Sequence, residues 1–378
     1  MVSNVFRGVL QTANSGRKGF VIVILATCAA SLLLSALLAL PWGGLASASC
    51  RWDCFWYSDI ATNGYSRLPL LYDGKRPAQA SWAFFPLYPL LTSTLRHFLA
   101  LSTQSAGLLV NIALWPFLIF LCNRDLELRD IRTDRVFFVL FFVLYPFNVW
   151  YTAQYSEAVY GATLMAAIVA LRSGWIGLAA LTCALMAIAR PTGFIMTVCL
   201  SAWWLFSRPR DAAIFTRETV RHRLSDSLLL IAAGGAGLSL FVLYLFHLTG
   251  DGFAFAHVEI AWHKRFRFFL LHIFHALGHK HQIQFGVFAL LAVAIIWRMC
   301  SRAWALNAFL VGSTALLASS AGAESIERYV FGNPLTIQFL ACSTLSRSQR
   351  FAQISLAIMA CLHIVTTILW YRESRWVM

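Results

Sequence analysis

Apolar runs return along this chain from residue 20 to residue 371, and no gap between them is wide enough for a separate soluble domain of ordinary size. A run of ~20 such residues is long enough for a helix to cross about 30 Å of hydrocarbon. Composition points the same way: 59% of residues are hydrophobic and 12% charged, against about a quarter charged in an ordinary soluble protein. The expectation is an all-α integral membrane protein, one polytopic unit over residues 1–378.

The first run, Phe20 to Trp42, comes after Arg7, Arg17 and Lys18. A signal peptide competes here, since Leu45-Ala46-Ser47-Ala48-Ser49 resembles a cleavage site. The run exceeds the ~7–15 residues of a signal core, and cleavage would detach the Asp53 segment from its anchor. It is read as an uncleaved span with its N-terminus in the cytoplasm. Further runs lie near 104–123, 136–150, 157–171, 175–189, 192–206, 226–247, 285–299, 304–321, 330–345 and 351–371, with breaks at Pro146 and Pro191. Eleven spans place Arg124, Arg129, Arg132, Arg135, Arg172, the cluster Arg208 to Arg223, Arg298, Arg302, Arg347 and Arg350 inside. With Arg7, Arg17 and Lys18 the inside holds 17 of the 30 basic residues, a mild positive-inside bias. Asp53, Asp59, Asp73, Glu157, Asp251, Glu259, Glu324, Glu327 and Glu373 fall outside. Two long outer loops result, about 43–103 and 248–284. The first holds a polar turn, Tyr72 to Pro77, and a Trp82-to-Pro89 block whose prolines disfavour a straight deep span. Helices lying in the membrane interface are expected there.

A formal charge of +14 does not point to nucleic acid, because the basic residues sit in short clusters between apolar runs. That pattern suits anionic headgroups and membrane lipids as partners. The nine cysteines fall mostly inside apolar runs, where they serve as small apolar side chains. Cys50 and Cys54 stand one helical turn apart on the outer side, without C-x-x-C spacing, and give a weak signal for redox chemistry.

The stretch Cys50-Arg51-Trp52-Asp53-Cys54-Phe55-Trp56-Tyr57-Ser58-Asp59-Ile60-Ala61-Thr62-Asn63-Gly64-Tyr65 emerges at the surface just after the first run. An Asp set among Trp, Phe and Tyr is half out of water, which disfavours the charged carboxylate and makes a better base. If the stretch is helical, Asp53, Tyr57 and Ala61 share one face, and Asp59 does not join Asp53 on it. The plainer reading is an interfacial helix with its tryptophans at headgroup level.

The run WDCFWYSDIATNGY resembles the signature of the PIG-V type family, the second mannosyltransferases of GPI-anchor assembly, and resembles its bacterial relatives still more. Ala83-Phe84-Phe85-Pro86-Leu87-Tyr88-Pro89 resembles a second block of that family. Gln154-Tyr155-Ser156-Glu157, Ala189-Arg190-Pro191-Thr192-Gly193, Gly250-Asp251 through His257 to Trp262, and Glu327-Arg328-Tyr329 come after it in the family's order. The resemblance implies a GT-C glycosyltransferase fold. It also implies inverting transfer of a mannosyl unit from a polyprenyl- or dolichyl-phosphate donor to a lipid-linked or outer-face acceptor. A bacterial plasma membrane is favoured, with the endoplasmic reticulum if the chain is eukaryotic, and the site on the periplasmic or lumenal face. Asp53 would be the general base, with Trp52, Trp56, Tyr57 and Tyr65 around the substrates.

Such chemistry takes a proton from an acceptor hydroxyl and steadies a departing phosphate with cations. Arg328 beside Tyr329 is the first candidate for the phosphate, because a guanidinium grips two oxygens at once. His257, Lys264 and Arg265, with Arg267, are further candidates, and headgroup binding explains the Lys264-to-Arg267 cluster equally well. Arg190 has an alternative role capping or pairing inside the bundle. Glu157, after Ser156, reads more simply as a helix-start acid behind a Ser cap. It also suits orienting an acceptor hydroxyl or neutralising Arg190. His272, His275 and His279, with His281 beyond, fit an interfacial helix better than a zinc site, since no carboxylate joins them. No Asp-x-Asp pair is present to hold a divalent ion, and no cofactor-binding pattern occurs, so metal- and cofactor-independent catalysis is expected. Rival functions are a transporter or lipid flippase, disfavoured because the halves do not match, and a GT-C enzyme for another sugar.

Overall fold

The computed structural model describes residues 16–69, 78–207, 217–262, 264–280, 282–374 and 376–377. Arg7, the Tyr72-to-Pro77 turn, Arg208 and Arg210 of the basic cluster, His263 and His281 lie outside them. The described residues form helices and turns with no strand element. The helices are α1 (Arg17–Leu38), α2 (Leu45–Ala48), α3 (Cys54–Asn63), α4 (Leu87–Leu99), α5 (Thr103–Leu128), α6 (Arg135–Leu144), α7 (Val149–Thr152), α8 (Glu157–Arg172) and α9 (Ile176–Ala189). They continue as α10 (Pro191–Phe206), α11 (Arg217–Thr249), α12 (Ala254–His257), α13 (Phe269–Gly278), α14 (Ile283–Met299), α15 (Ala305–Ala321), α16 (Pro334–Leu345) and α17 (Gln349–Tyr371).

A helix lies on every one of the eleven apolar runs, but they differ in reach. α1, α5, α11 and α17 are long and apolar enough to cross a membrane, and α6 bends by 71° into the Pro146–Thr152 segment to make a fifth. α9 and α10, with 14 and 16 residues, are about 21 and 24 Å long at 1.5 Å per residue. That is short of about 30 Å of hydrocarbon. Pro191 explains why they are two helices. It has no N–H, suits a first helical position, and drives the residue before it out of the helical region. Arg190 accordingly sits at φ −156°, ψ 155° between the two.

Tight packing results from small residues. A Cβ on Gly193 would lie 1.9 Å from the Met186 carbonyl oxygen, and one on Gly237 would lie 2.4 Å from that of Ala184. Glycine thus lets α10 fold back on the end of α9 and lets α11 lie against it, the small-residue contact typical of membrane helices.

Charged groups gather at the two ends of this bundle. α8 begins at Glu157, which faces Arg190 and Arg328, and ends at Arg172, which pairs with Asp125 at 2.7 Å. At that far end Asp125 also binds Arg129 at 3.1 Å and Gln338 at 2.9 Å, buried throughout. At the near end meet the start of α3, the starts of α8 and α10, and the turn between α15 and α16. The expected first outer loop supplies α2, α3 and α4 to this end, with its Trp82-to-Pro89 block broken into a short turn, Ser81–Ala83, and α4.

Candidate active site

Asp53 is the residue before α3, a position where Asp commonly accepts a helix N–H. Here it does not: Asp53 is already in the right-handed helical region and its side chain makes no capping bond. The carboxylate turns instead to Arg328, whose Nη1 donates to Oδ2 at 3.2 Å. The expected half-dry aromatic setting is therefore incomplete, because a guanidinium faces the carboxylate. Trp52, one residue earlier, takes φ 49°, a left-handed conformation that costs a bulky residue about 1–3 kcal/mol. It packs on the core and stays out of the cleft, with its indole N–H buried and lacking a hydrogen bond among the described residues.

The motif Gln154-Tyr155-Ser156-Glu157 holds this segment in place, residue by residue. Gln154 Nε2 donates to the Ala46 carbonyl at 2.6 Å and to Ser49 Oγ at 2.9 Å. The Tyr155 hydroxyl accepts from the Asp53 backbone N–H at 3.0 Å. Ser156 and the Tyr57 hydroxyl share a 3.0 Å hydrogen bond. Ser156 therefore does not cap α8, contrary to the simplest sequence reading, because its hydroxyl is engaged across the bundle. Glu157, 4% exposed, bridges two arginines: Oε1 lies 3.0 Å from Arg190 Nη1 and 3.2 Å from Arg328 Nε. Of its suggested roles, neutralising Arg190 is the one the geometry displays.

Arg328 comes from a five-residue π-turn, Glu327–Phe331, between α15 and α16. Tyr151 donates to the Gly332 carbonyl and ties this turn to the core. The Arg190 and Arg328 guanidinium groups lie 4.7 and 5.5 Å from the centre of the Tyr329 ring, within reach of its π face. Burial alone would push the Tyr329 phenol up. Arg190, Lys264 and Arg328 around it instead bring it below the ordinary tyrosine range. Lys264 pairs with Glu259 at 2.8 Å, and although burial opposes its charge, Tyr329 and Glu259 hold the ammonium above its usual value.

These groups line one cleft. Its walls include Asp53, Tyr57, Phe84, Arg190, Glu259, Trp262, Lys264, Arg328 and Tyr329, and its volume is ≈ 80 Å³, small beside the about 300–1,000 Å³ typical of ligand sites. Glu157 stands just behind the wall. Counting it, three acids face three bases, so the site is neutral while three cations stand within it. Other predicted site residues lie elsewhere. Tyr65 donates to the Phe84 carbonyl at 2.6 Å and packs on Phe241 and Tyr244, supporting the cleft wall from behind. Trp56 stacks on Phe84 and meets Trp262 edge-on, one layer back. His257 is exposed and bound to Asp251 at 2.7 Å. Arg265 donates its backbone N–H to Ala321 and keeps its side chain exposed. The structure thus gathers Asp53, Tyr57, Glu157, Arg190, Lys264, Arg328 and Tyr329, and leaves Trp52, Trp56, Tyr65, His257 and Arg265 off the cleft. Phe84, Glu259 and Trp262 join it. All three stood in recognised blocks or on the outer face, without a role assigned from sequence.

Two histidines of the 264–280 segment bond the backbone. His272 Nε2 donates to the Arg265 carbonyl at 2.9 Å and His279 Nδ1 to that of His275 at 2.7 Å. Among the described residues no three His, Cys, Asp or Glu side chains converge in a metal-holding group.

Glu327, next to Arg328, is 1% exposed, and burial raises its carboxyl to about 7. Between about 4.5 and about 7 the folded state therefore holds a proton that the unfolded chain has released. Stability falls as pH rises through that window. Glu327→Gln should remove this slope and unfold at a higher temperature than wild type above pH 7, as read by thermal unfolding from pH 5 to 8. Parallel curves for the two proteins would reject the assignment.

No family model and no solved structure matches the chain. An alignment over 142 residues, covering 35% of this chain, shows 32% identity to GPI alpha-1,6-mannosyltransferase 2 of Cricetulus griseus. That relative is a mannosyltransferase. The match spans 26% of the relative's length, about a quarter, so the likeness supports a mannosyltransferase-like family. The apolar helices mark a membrane protein.

Proposed function

We propose that this protein is a membrane glycosyltransferase that moves a mannosyl unit from a polyprenyl- or dolichyl-phosphate donor to a lipid-linked or outer-face acceptor. The observation that carries the reading is the meeting of Asp53 with Arg190, Lys264 and Arg328 in one cleft at one end of an apolar helix bundle. Asp53 is the general base. Its carboxylate, 31% exposed, is the part of the ion-pair network open to an incoming hydroxyl, whereas Glu157 is sealed behind the arginines. Arg328 and Arg190, oriented by Glu157, bind the phosphate oxygens and stabilise the charge that grows as the sugar–phosphate bond breaks. When Asp53 takes the acceptor proton, the otherwise neutral site gains one positive charge, which offsets the second negative charge that grows on the departing phosphate. The three cations take the neutralising part that a divalent ion plays at pyrophosphate sites, so the reaction proceeds without a metal. The long apolar helices cross the membrane with the shorter ones packed among them, and the cleft lies on the periplasmic or lumenal side. A cleft of this size closes on the sugar and phosphate, while the lipid tail stays among the exposed apolar side chains.

The test is consumption of donor. Purified protein incubated with a panel of polyprenyl-phosphate hexoses and a lipid acceptor should release polyprenyl phosphate from the mannosyl donor. Intact donors across the panel would reject the reading.

A further inference from the structure

The Cys50–Cys54 disulfide encloses Arg51, Trp52 and Asp53 in a five-residue ring. We infer that this bridge is the positioning clamp that points Asp53 at Arg328, an inference that rests on Asp53 as the base. The bridge also means that the cleft end of the bundle faces an oxidising compartment. The residues before the ring and two of those within it are held by hydrogen bonds. Gln154 holds Ala46 and Ser49. Arg51 donates to the carbonyls of Tyr371, Ser47 and Cys50, and the Asp53 N–H goes to Tyr155. Trp52 is held by core packing and by the Phe55 N–H on its carbonyl at 3.3 Å, and no side chain among the described residues bonds its peptide or its indole. Its backbone is left-handed and its buried indole N–H lacks a hydrogen bond among the described residues. A free chain relaxes such a residue to negative φ, which rotates the next peptide and carries the Asp53 side chain away from Arg328. The bridge forbids that relaxation by fixing both ends of the ring. Both cysteines are buried, at 2% and 0% exposure, so the bond is shielded from casual exchange. Bonds of this kind persist outside the cytoplasm and in the ER lumen.

A dithiol reductant opens the ring by exchange. One of its thiolates attacks a bridge sulfur and breaks the S–S bond, and its second sulfur then displaces the first cysteine. Two protein thiols result, carrying the two protons, and the reductant leaves as a cyclic disulfide.

The test compares wild type with C50A/C54A by transfer kinetics and by hydrogen exchange of the 49–57 peptide. The expected result is a fall of about 100-fold in kcat with the donor KM unchanged, and faster exchange across residues 51–54. Wild type reduced with a dithiol should lose the same activity and regain it on reoxidation, which decides the matter if the variant does not fold. Trapping thiols with N-ethylmaleimide in intact cells should find the 50–54 pair oxidised. Unchanged kcat and exchange in the variant, or free thiols in cells, would overturn the clamp. If oxidised wild type transfers no sugar from any donor, the reading of Asp53 fails, and the exchange rates alone judge the clamp.

Discussion

Asp53→Asn should bind a polyprenyl-phosphate sugar as wild type does and transfer it about 10²–10⁴-fold more slowly, the usual contribution of a positioned base. The amide keeps the size of the carboxylate and retains an acceptor oxygen for Arg328 Nη1, which now sits 3.2 Å from Oδ2. It cannot take a proton. The effect therefore belongs in kcat, with the donor KM little changed. Donor binding by the variant is measured with labelled lipid, and turnover in a single-turnover assay. Full activity in Asp53→Asn would remove Asp53 from the chemistry.

The second large effect is expected at Glu157. Its carboxylate lies between Arg190 and Arg328, all three nearly excluded from solvent, with side-chain exposures of 5, 10 and 10%. Removing one partner of such a pair leaves buried charge uncompensated, which costs about 3–5 kcal/mol. Glu157→Gln should lower the unfolding midpoint sharply, and the folded remainder should bind donor poorly because both guanidinium groups lose their alignment. Glu157→Asp should recover part of the stability by keeping the charge. A Gln variant as stable as wild type would show that Asp53 and the Tyr329 ring suffice to hold the two arginines.

Much of this arrangement was legible in the sequence, for identifiable reasons. Apolar runs reveal helices because burial in lipid demands them, and most helix bounds fall within a few residues of the runs, whereas α5 runs on to Leu128, α6 stops at Leu144 and α11 starts at Arg217. Pro146 and Pro191 announced a bend and a helix boundary through missing N–H groups. Asp53, Arg328 and Glu157 stood out as charges beside apolar segments, where charge is costly without partners. Pairing at a distance is the part the chain did not disclose. The bond from Tyr155 to the Asp53 N–H joins residues 102 apart, and Arg328 reaches Asp53 across 275. Local spacing carries no record of either. Ser156 looked like a helix cap because its neighbours permit one, yet the Tyr57 hydroxyl claims it. Tyr65 and His257 lay in the right segments, but a side chain's direction depends on the tertiary neighbours that receive it: the Phe84 carbonyl for one, Asp251 for the other.

The proposed role of Asp53, base of a single displacement, requires one stereochemistry of transfer, and the anomeric configuration of the product tests that proposal most directly. Determining that configuration by NMR of the purified product, beside the donor, should show inversion, because a hydroxyl deprotonated by Asp53 attacks from the face opposite the departing phosphate. Retained configuration, or a sugar found covalently attached to Asp53 by mass spectrometry, would contradict that role.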